Sequence, residues 1–270
     1  MRVRDKVVVV TGAAGGIGRA LALRFAAEGA AGVVIADLDE GGARAVAEEI
    51  GDRATAVRAD VSSETEVAEV AEVAKARFGP VDLFCSNAGI IGGHGLDAPD
   101  QEWNALFGVN VLAHVYAARA VIPSMVARGG GYLLNTCSAA GLIGCPGDAP
   151  YAVTKTAAVA FAEWLAMHYG PEGIKVSVLC PQGVRTAMLE RGLEEGHLTA
   201  RAVAASGTIL DPSDVADTVI EGLDAERFHI LPHPEVTEFV RRKADDPDRW
   251  LAGMSRLVAA LESEPFQDPG

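Results

Sequence analysis

The chain has no C-x-x-C pair, no cluster of histidines and no excess of basic charge. Its four cysteines, Cys85, Cys137, Cys145 and Cys180, are widely spaced, and three of them end apolar strand-like runs. That pattern reads as buried free thiols, and it offers no zinc site, so no metal is expected. Lys and Arg number 23 against 37 Asp and Glu, a formal net charge of −14. Nucleic acid and anionic membranes both need basic surface, so neither is expected as a partner. Aromatic residues make up only 6%. No apolar stretch is read as approaching the roughly 20 residues of a membrane span. Met1 to Asp5 runs straight into a strand with no apolar signal region, and the expected location is a reducing cytoplasm.

What is present is a rhythm. Short β-branched runs at Lys6–Val10, Ala31–Ala36, Thr55–Ala59, Val81–Ser86, Tyr132–Thr136 and Lys175–Leu179 alternate with helical stretches, and Phe228–Leu231 offers a short last strand. Near-continuous apolar strands separated by helices predict a doubly wound parallel α/β sheet of seven strands, Rossmann-like, in a single domain over 1–270. The segment 187–210 reads as an irregular or helical insertion and a substrate lid. The segment 234–262 reads as a C-terminal helical extension, with an apolar stripe at Trp250, Leu251, Met254, Leu257, Val258 and Leu261.

In such sheets ligands bind beyond the carboxyl ends of the strands, and the chemically interesting residues collect there. Gly12, Gly15, Gly16, Ile17 and Gly18 lie between the first strand and first helix. Glycines there let a pyrophosphate approach backbone N–H groups at a helix N-terminus, although glycine turns also simply join strands to helices. Asp37, followed by Leu38, ends the second strand. A carboxylate at that point accepts both hydroxyls of an adenosine ribose and repels a 2′-phosphate, which favours NAD over NADP. Asp60-Val61 ends the third strand, within reach of an adenine amino group, and Asn87-Ala88-Gly89 ends the fourth. Ordinary turn chemistry would explain either alone.

Tyr151 and Lys155 stand four positions apart, thirteen positions after Ser138. Residues at i and i+4 share a helix face, so the ammonium is expected beside the phenol, lowering a pKa that starts near ~10. A phenol so tuned serves as general base or acid.

In this order the motifs resemble the short-chain dehydrogenase/reductase family. The likeness runs from T-G-x-x-x-G-I-G at Thr11–Gly18 through Asp37, Asp60-Val61, Asn87-Ala88-Gly89, Asn110, Ser138 and Y-x-x-x-K at Tyr151–Lys155. It ends at Pro181-Gln182-Gly183-Val184-Arg185-Thr186. It departs at Cys137, where a second serine is frequent, and at Gln182, where glycine is usual. The resemblance implies a catalytic tetrad of Asn110, Ser138, Tyr151 and Lys155. Tyr151 would exchange the substrate proton and Ser138 would polarise the substrate oxygen. Lys155 would bond the nicotinamide ribose, and Asn110 would hold a water linking Lys155 to solvent. Pro181, Gly183, Val184 and Thr186 would border the nicotinamide and pyrophosphate. Related enzymes are mostly tetramers or dimers, so a homo-oligomer is expected.

The pocket walls are expected from Ile90, Ile91, His94, Ile143, Cys145, Ala187, Met188 and Leu189, mostly apolar and without a cation to grip a carboxylate. The reading is an NAD-dependent oxidoreductase interconverting a hydrophobic secondary alcohol and its ketone. An NADH-linked ketone or 3-oxoacyl reductase would use the same residues. A non-catalytic NAD-sensing protein is the reading from a different class, disfavoured because tyrosine and lysine are both present.

Overall fold

Val7 to Val10 are all buried, and successive side chains feed opposite faces of the sheet. In the computed structural model, which describes residues 1–263, that alternation holds along β1 (Val7–Thr11), β2 (Gly32–Asp37), β4 (Leu83–Ser86), β5 (Gly131–Thr136) and β6 (Ile174–Leu179). Residues 264–270 of the expected 1–270 domain lie outside the described residues. With β3 (Ala54–Arg58) and β7 (His229–Ile230), the strands form one seven-stranded sheet in the order β3-β2-β1-β4-β5-β6-β7. Every pairing is parallel. The order reverses between β1 and β4, so a crevice opens there at the carboxyl edge.

Two apolar layers result. Val9, Val34, Phe84, Leu133 and Val176 pack beneath α3 (Glu64–Arg77), the helix here labelled α5 (Ala113–Ala127) and α7 (Ala149–Tyr169). Val8, Val10, Ile35, Leu83 and Leu134 pack beneath α1 (Gly16–Ala27) and the helix labelled α10 (Pro212–Asp224), with α2 (Glu40–Ile50) at the edge. Local sequence sets the helix starts. The Asp39 carboxylate accepts the Gly42 N–H at 3.1 Å, and the Ser63 hydroxyl accepts from Glu66. Pro212 opens α10 behind Asp211.

The long helical region after β4 is interrupted. The helix α4 (Asp100–Phe107) passes through a π-turn at Gly108–Leu112 before α5 begins. Taken together, Asp100–Ala127 is a 28-residue helical run whose most apolar 18-residue window has a mean hydropathy of 1.5, long and apolar enough to cross a membrane. This corrects the expectation that no stretch approaches that length. Half of its most apolar window (50%) is buried inside the protein, where α5 packs on α3, β4 and β5.

Between β5 and α7 a short helix α6 (Ala140–Ile143) forms. The insertion at 187–210 folds into α8 (Ala187–Glu194) and α9 (Leu198–Ala205), and the C-terminal extension into α11 (Glu235–Asp245) and α12 (Pro247–Ser263). Within the expected α12 stripe, Leu261 is buried, Trp250, Met254, Leu257 and Val258 are half-buried, but Leu251 is 62% exposed. The stripe packs α12 on α9, while α11 lies against α6. Lys243 Nζ donates to the Leu142 carbonyl at 2.8 Å and Trp250 Nε1 to that of Ile143 at 3.3 Å. Those carbonyls end α6 and have no helical partner of their own.

The strand-to-helix turn after β1 is closely packed. Gly12 takes φ +63°, and a Cβ there would meet the Ala88 backbone at 2.7 Å. A Cβ on Gly18 would lie 2.0 Å from the Gly12 carbonyl oxygen. Gly18→Ala is therefore expected to destabilise the protein by about 3 kcal/mol through overpacking against backbone. Urea denaturation of the variant beside wild type measures it, and an unchanged midpoint would refute the packing argument.

Candidate functional site

Asn87, at the end of β4, gathers three strands. Its Nδ2 donates to the Thr11 carbonyl at 3.0 Å, and its Oδ1 accepts the Thr136 hydroxyl at 3.0 Å. The Thr11 hydroxyl accepts the Asn87 N–H at 2.9 Å and the Ala88 N–H at 3.2 Å. The carboxyl edges of β1, β4 and β5 are thus held together where the crevice opens.

The cofactor end follows. α1 begins at Gly15 with no side-chain cap, leaving its first N–H groups facing outward. No atom lies within 4 Å of where a Gly15 Cβ would be, whereas at Gly16 the nearest atom is the Thr186 methyl, 3.2 Å away. An uncapped helix N-terminus beside open space suits a pyrophosphate, with Ile17 and Gly18 in the first turn and Thr186 facing it. Asp37 accepts the Ala14 N–H at 2.9 Å and the Asp39 N–H at 3.0 Å, so it orders the glycine turn as well as ending β2. Arg58, not considered in the sequence, is the register partner of Asp37 on β3, and its guanidinium pairs with Glu66 at 3.1 Å. Leu38 is exposed beside Asp37. The Asp60 carboxyl is held below its usual range by bonds from the Ser62 hydroxyl and N–H, and Val61 is buried beside it. These residues fit a dinucleotide laid along the edge from β3 to β4.

The chemistry end stands on α7. Lys155 is only 3% exposed, and its Nζ donates to the Thr136 carbonyl at 3.2 Å. A methyl group on Gly89 would sit 3.2 Å from that Nζ and 3.3 Å from Asn110 Oδ1, so Gly89 is where the ammonium and the amide meet. Asn110 is fully buried within the π-turn. Its Oδ1 accepts the Ile90 N–H and its Nδ2 donates to the Ile90 carbonyl, both at 2.9 Å. Its visible task is to hold the loop after β4. Ser138 Oγ accepts the Ala140 N–H at 3.1 Å, placing the hydroxyl at the mouth of α6.

The expectation for the phenol needs correction. Lys155 Nζ lies 5.6 Å from the Tyr151 ring centroid, yet the phenol is pushed up, not down. Burial is the main cause, the Ser138 hydroxyl opposes it, and Cys145 and the Asp148 carboxylate add to it. Burial also pushes the Lys155 ammonium below its ordinary value.

Among the expected wall residues, Ile143 ends α6 and Cys145 lies between α6 and α7, both half-buried, and burial raises the Cys145 thiol to about 12. Met188 is exposed on α8. The His94 ring is exposed and pairs with Glu102 at 2.7 Å. Arg185 pairs with Asp211 at 3.0 Å on the surface. Pro181, Gly183 and Val184 are buried at the end of β6.

Three residues escaped the sequence reading. Asp148 is 1% exposed and caps α7, accepting the Tyr151 N–H at 2.8 Å. An Asp two residues before Pro150 is a cap signal that a start at Tyr151 hid. His233 accepts the Gln182 N–H at 3.1 Å on Nδ1, and its Nε2 reaches the Gly183 and Thr208 carbonyls at 3.0 and 3.1 Å. It thereby ties the loop after β6 to the end of the insertion. His114, one turn beyond Asn110, is buried with both ring nitrogens unpartnered. No spacing in the sequence marks either histidine.

The family model described as short chain dehydrogenase matches residues 6–195. The chain is 37% identical over 259 residues to a 1-deoxy-11-beta-hydroxypentalenate dehydrogenase of Streptomyces exfoliatus, covering 93% of this chain and 92% of that one. A short chain dehydrogenase/reductase from Burkholderia phymatum in complex with NAD superposes with a TM-score of 0.82 at 32% identity, over 92% of this chain and 96% of that one. A 3-ketoacyl-(acyl-carrier-protein) reductase from Brucella melitensis complexed with NADH gives 0.74 at 32% identity, over 85% and 96%. With its parallel sheet and uncapped glycine turn, the chain belongs to the short-chain dehydrogenase/reductase family. It is an oxidoreductase of the class acting on hydroxyl and keto groups.

His114 gives a pH signature. Burial, aided by the Lys155 charge, pushes its imidazole down to about 3 from 6.5. Below pH 6.5 the unfolded chain binds a proton that the folded chain refuses, so stability falls as pH falls. The slope from this group is about 1.4 kcal/mol per pH unit between its two values. His114→Phe is expected to flatten that slope in urea titrations between pH 6.5 and 4.5. Equal slopes in both proteins would contradict a neutral buried His114.

Proposed function

We propose that this protein is an NAD-dependent oxidoreductase that interconverts a hydrophobic secondary alcohol and its ketone, with Tyr151 as general acid and base. The observation that carries the reading is the meeting of Ser138 and Lys155 at Tyr151, with the Lys155 Nζ beside Gly89 at the edge fitted for a dinucleotide. The nicotinamide cofactor supplies the hydride acceptor or donor when bound. Ser138 donates a hydrogen bond to the substrate oxygen. Tyr151 Oη takes the hydroxyl proton in oxidation and returns a proton to the forming alkoxide in reduction. Lys155, oriented by the Thr136 carbonyl, sets positive charge near the phenolate and against the effect of burial. Asn110 holds the loop whose Gly89 leaves room for that ammonium.

NAD is preferred because the Asp37 carboxylate would repel a 2′-phosphate and the nearby Arg58 is paired with Glu66. The similarity to complexes with NAD and with NADH supports this choice. The relative named for a hydroxypentalenate supports a carbon-rich alcohol. Reduction of a 3-oxoacyl substrate is the second reading, favoured by the similarity to a 3-ketoacyl-(acyl-carrier-protein) reductase. Against it, Arg185 and Lys243 near the pocket are already bonded within the chain. A homo-oligomer joined through α7 fits the outward residues Val153, Trp164 and Met167, of which Met167 is 73% exposed, with Phe107 and Leu112 beside them. Four free thiols suit a reducing compartment such as the cytoplasm.

The test is NADH formation from NAD⁺ with a panel of hydrophobic secondary alcohols. Tyr151→Phe should lower kcat by about 10³-fold with NAD⁺ affinity within a few-fold of wild type. Asp37→Ala should narrow the preference for NAD over NADP. Tight NAD⁺ binding with no turnover in either direction would return weight to a sensor. A Trp164→Glu, Met167→Glu double variant is expected to sediment as a smaller species than wild type, and unchanged sedimentation would move the interface elsewhere.

A further inference from the structure

The loop Gly92-Gly93 is held from three directions. Asp148 Oδ2 accepts the Gly92 N–H at 2.9 Å and the Gly93 N–H at 2.8 Å, while its Oδ1 accepts the Tyr151 N–H at 2.8 Å. Glu102 of α4 packs so closely on Gly92 that a Cβ there would meet its Oε1 at 2.0 Å. From the insertion, the His197 ring rests on Gly93, where a Cβ would meet it at 2.4 Å. The start of α9 also seats on the Asp148 side, since the Thr199 hydroxyl donates to the Pro146 carbonyl and Leu198 lies against Gly147.

We propose that Asp148 is a positioning residue: its one buried carboxylate fastens the seat of the 187–210 lid to the first turn of α7, so that lid closure and the placing of the Tyr151 proton carrier are one event. The proposal rests on the reading of Tyr151 given above. The carboxylate accepts three backbone N–H groups, which fix its place at the first turn of α7, beside the phenol. The groups that act on the phenol are the Ser138 hydroxyl, which favours the phenolate, Cys145 on the preceding loop, Asp148 at the helix cap, Cys137 after β5 and Lys155 on α7 itself. Across Gly92-Gly93 stand His94, Glu102 and His197. Asp148 is the formal negative charge nearest in sequence to Tyr151. Its presence opposes the phenolate, so the site keeps its proton until the pocket is filled.

Asp148→Asn separates the parts. An asparagine oxygen can still cap the Tyr151 N–H, but the amide NH₂ cannot accept from Gly92 and Gly93, and the charge is gone. Asp148→Ser is the second variant, keeping only a cap. Two readouts are used. Hydrogen exchange of the 90–94 segment is followed without cofactor. Proton release on adding saturating NAD⁺ is followed with a pH indicator, with Tyr151→Phe as the blank. In both variants the segment is expected to exchange tenfold faster or more, and the proton-release midpoint to fall by about one pH unit. Unchanged exchange, or an unchanged midpoint, overturns the coupling. If wild type and Tyr151→Phe release the same protons, the functional reading of Tyr151 fails instead, and exchange of the 90–94 segment still decides the fastening by Asp148.

Discussion

A parallel sheet covered by helices on both faces leaves its polar requirements at the strand ends, and here one side chain meets most of them. Asn87 bonds across from β4 to the β1 backbone and to the Thr136 hydroxyl of β5. An amide is suited to the task because it donates and accepts at once. The glycine turn follows β1, the loop to Asn110 follows β4 and Ser138 follows β5. A shift of any one strand end would part these three, so the geometry of the site is inherited from the bonding of Asn87.

In the proposed reaction, the same burial that would shield a hydride transfer works against both charged groups that proton transfer would use. It raises the Tyr151 phenol and lowers the Lys155 ammonium. The fold answers the second effect with the Thr136 carbonyl at 3.2 Å and the first with the Ser138 hydroxyl, while Asp148 pulls the other way. A neutral phenol poised between these influences is a proton store whose release depends on what enters the site, which suits chemistry that runs in either direction.

The architecture was legible in the sequence because strand runs such as Val7–Val10 and the caps Asp39 and Ser63 carry their structure locally. Each strand expected is present within a residue or two. The ordered motifs likewise led to Lys155 and Asn110, which the fold brings together at Gly89. The sequence misled where outcome depends on surroundings. The i, i+4 spacing of Tyr151 and Lys155 says nothing about desolvation, which reverses the expected direction for the phenol. The pairing of His94 with Glu102, eight positions on, was likewise not legible. Asp148 and His233 act through partners up to 56 positions away, and such pairings have no periodicity to betray them.

The π-turn at Gly108–Leu112 has a consequence for how this chain tolerates length change. A π-turn lodges one residue more than an α-helix of the same rise, and each α-helical residue turns the chain by about 100°. Deleting a single residue between Phe107 and Ala113 would let α4 and α5 join as one uninterrupted α-helix. Asn110 would then swing out of the interior, the Ile90 backbone would lose both its bonds, and the apolar faces of α5 could stay seated. The address of Asn110 is therefore written in a residue count, and an insertion or deletion here would unmake the loop after β4 while sparing the sheet beneath it.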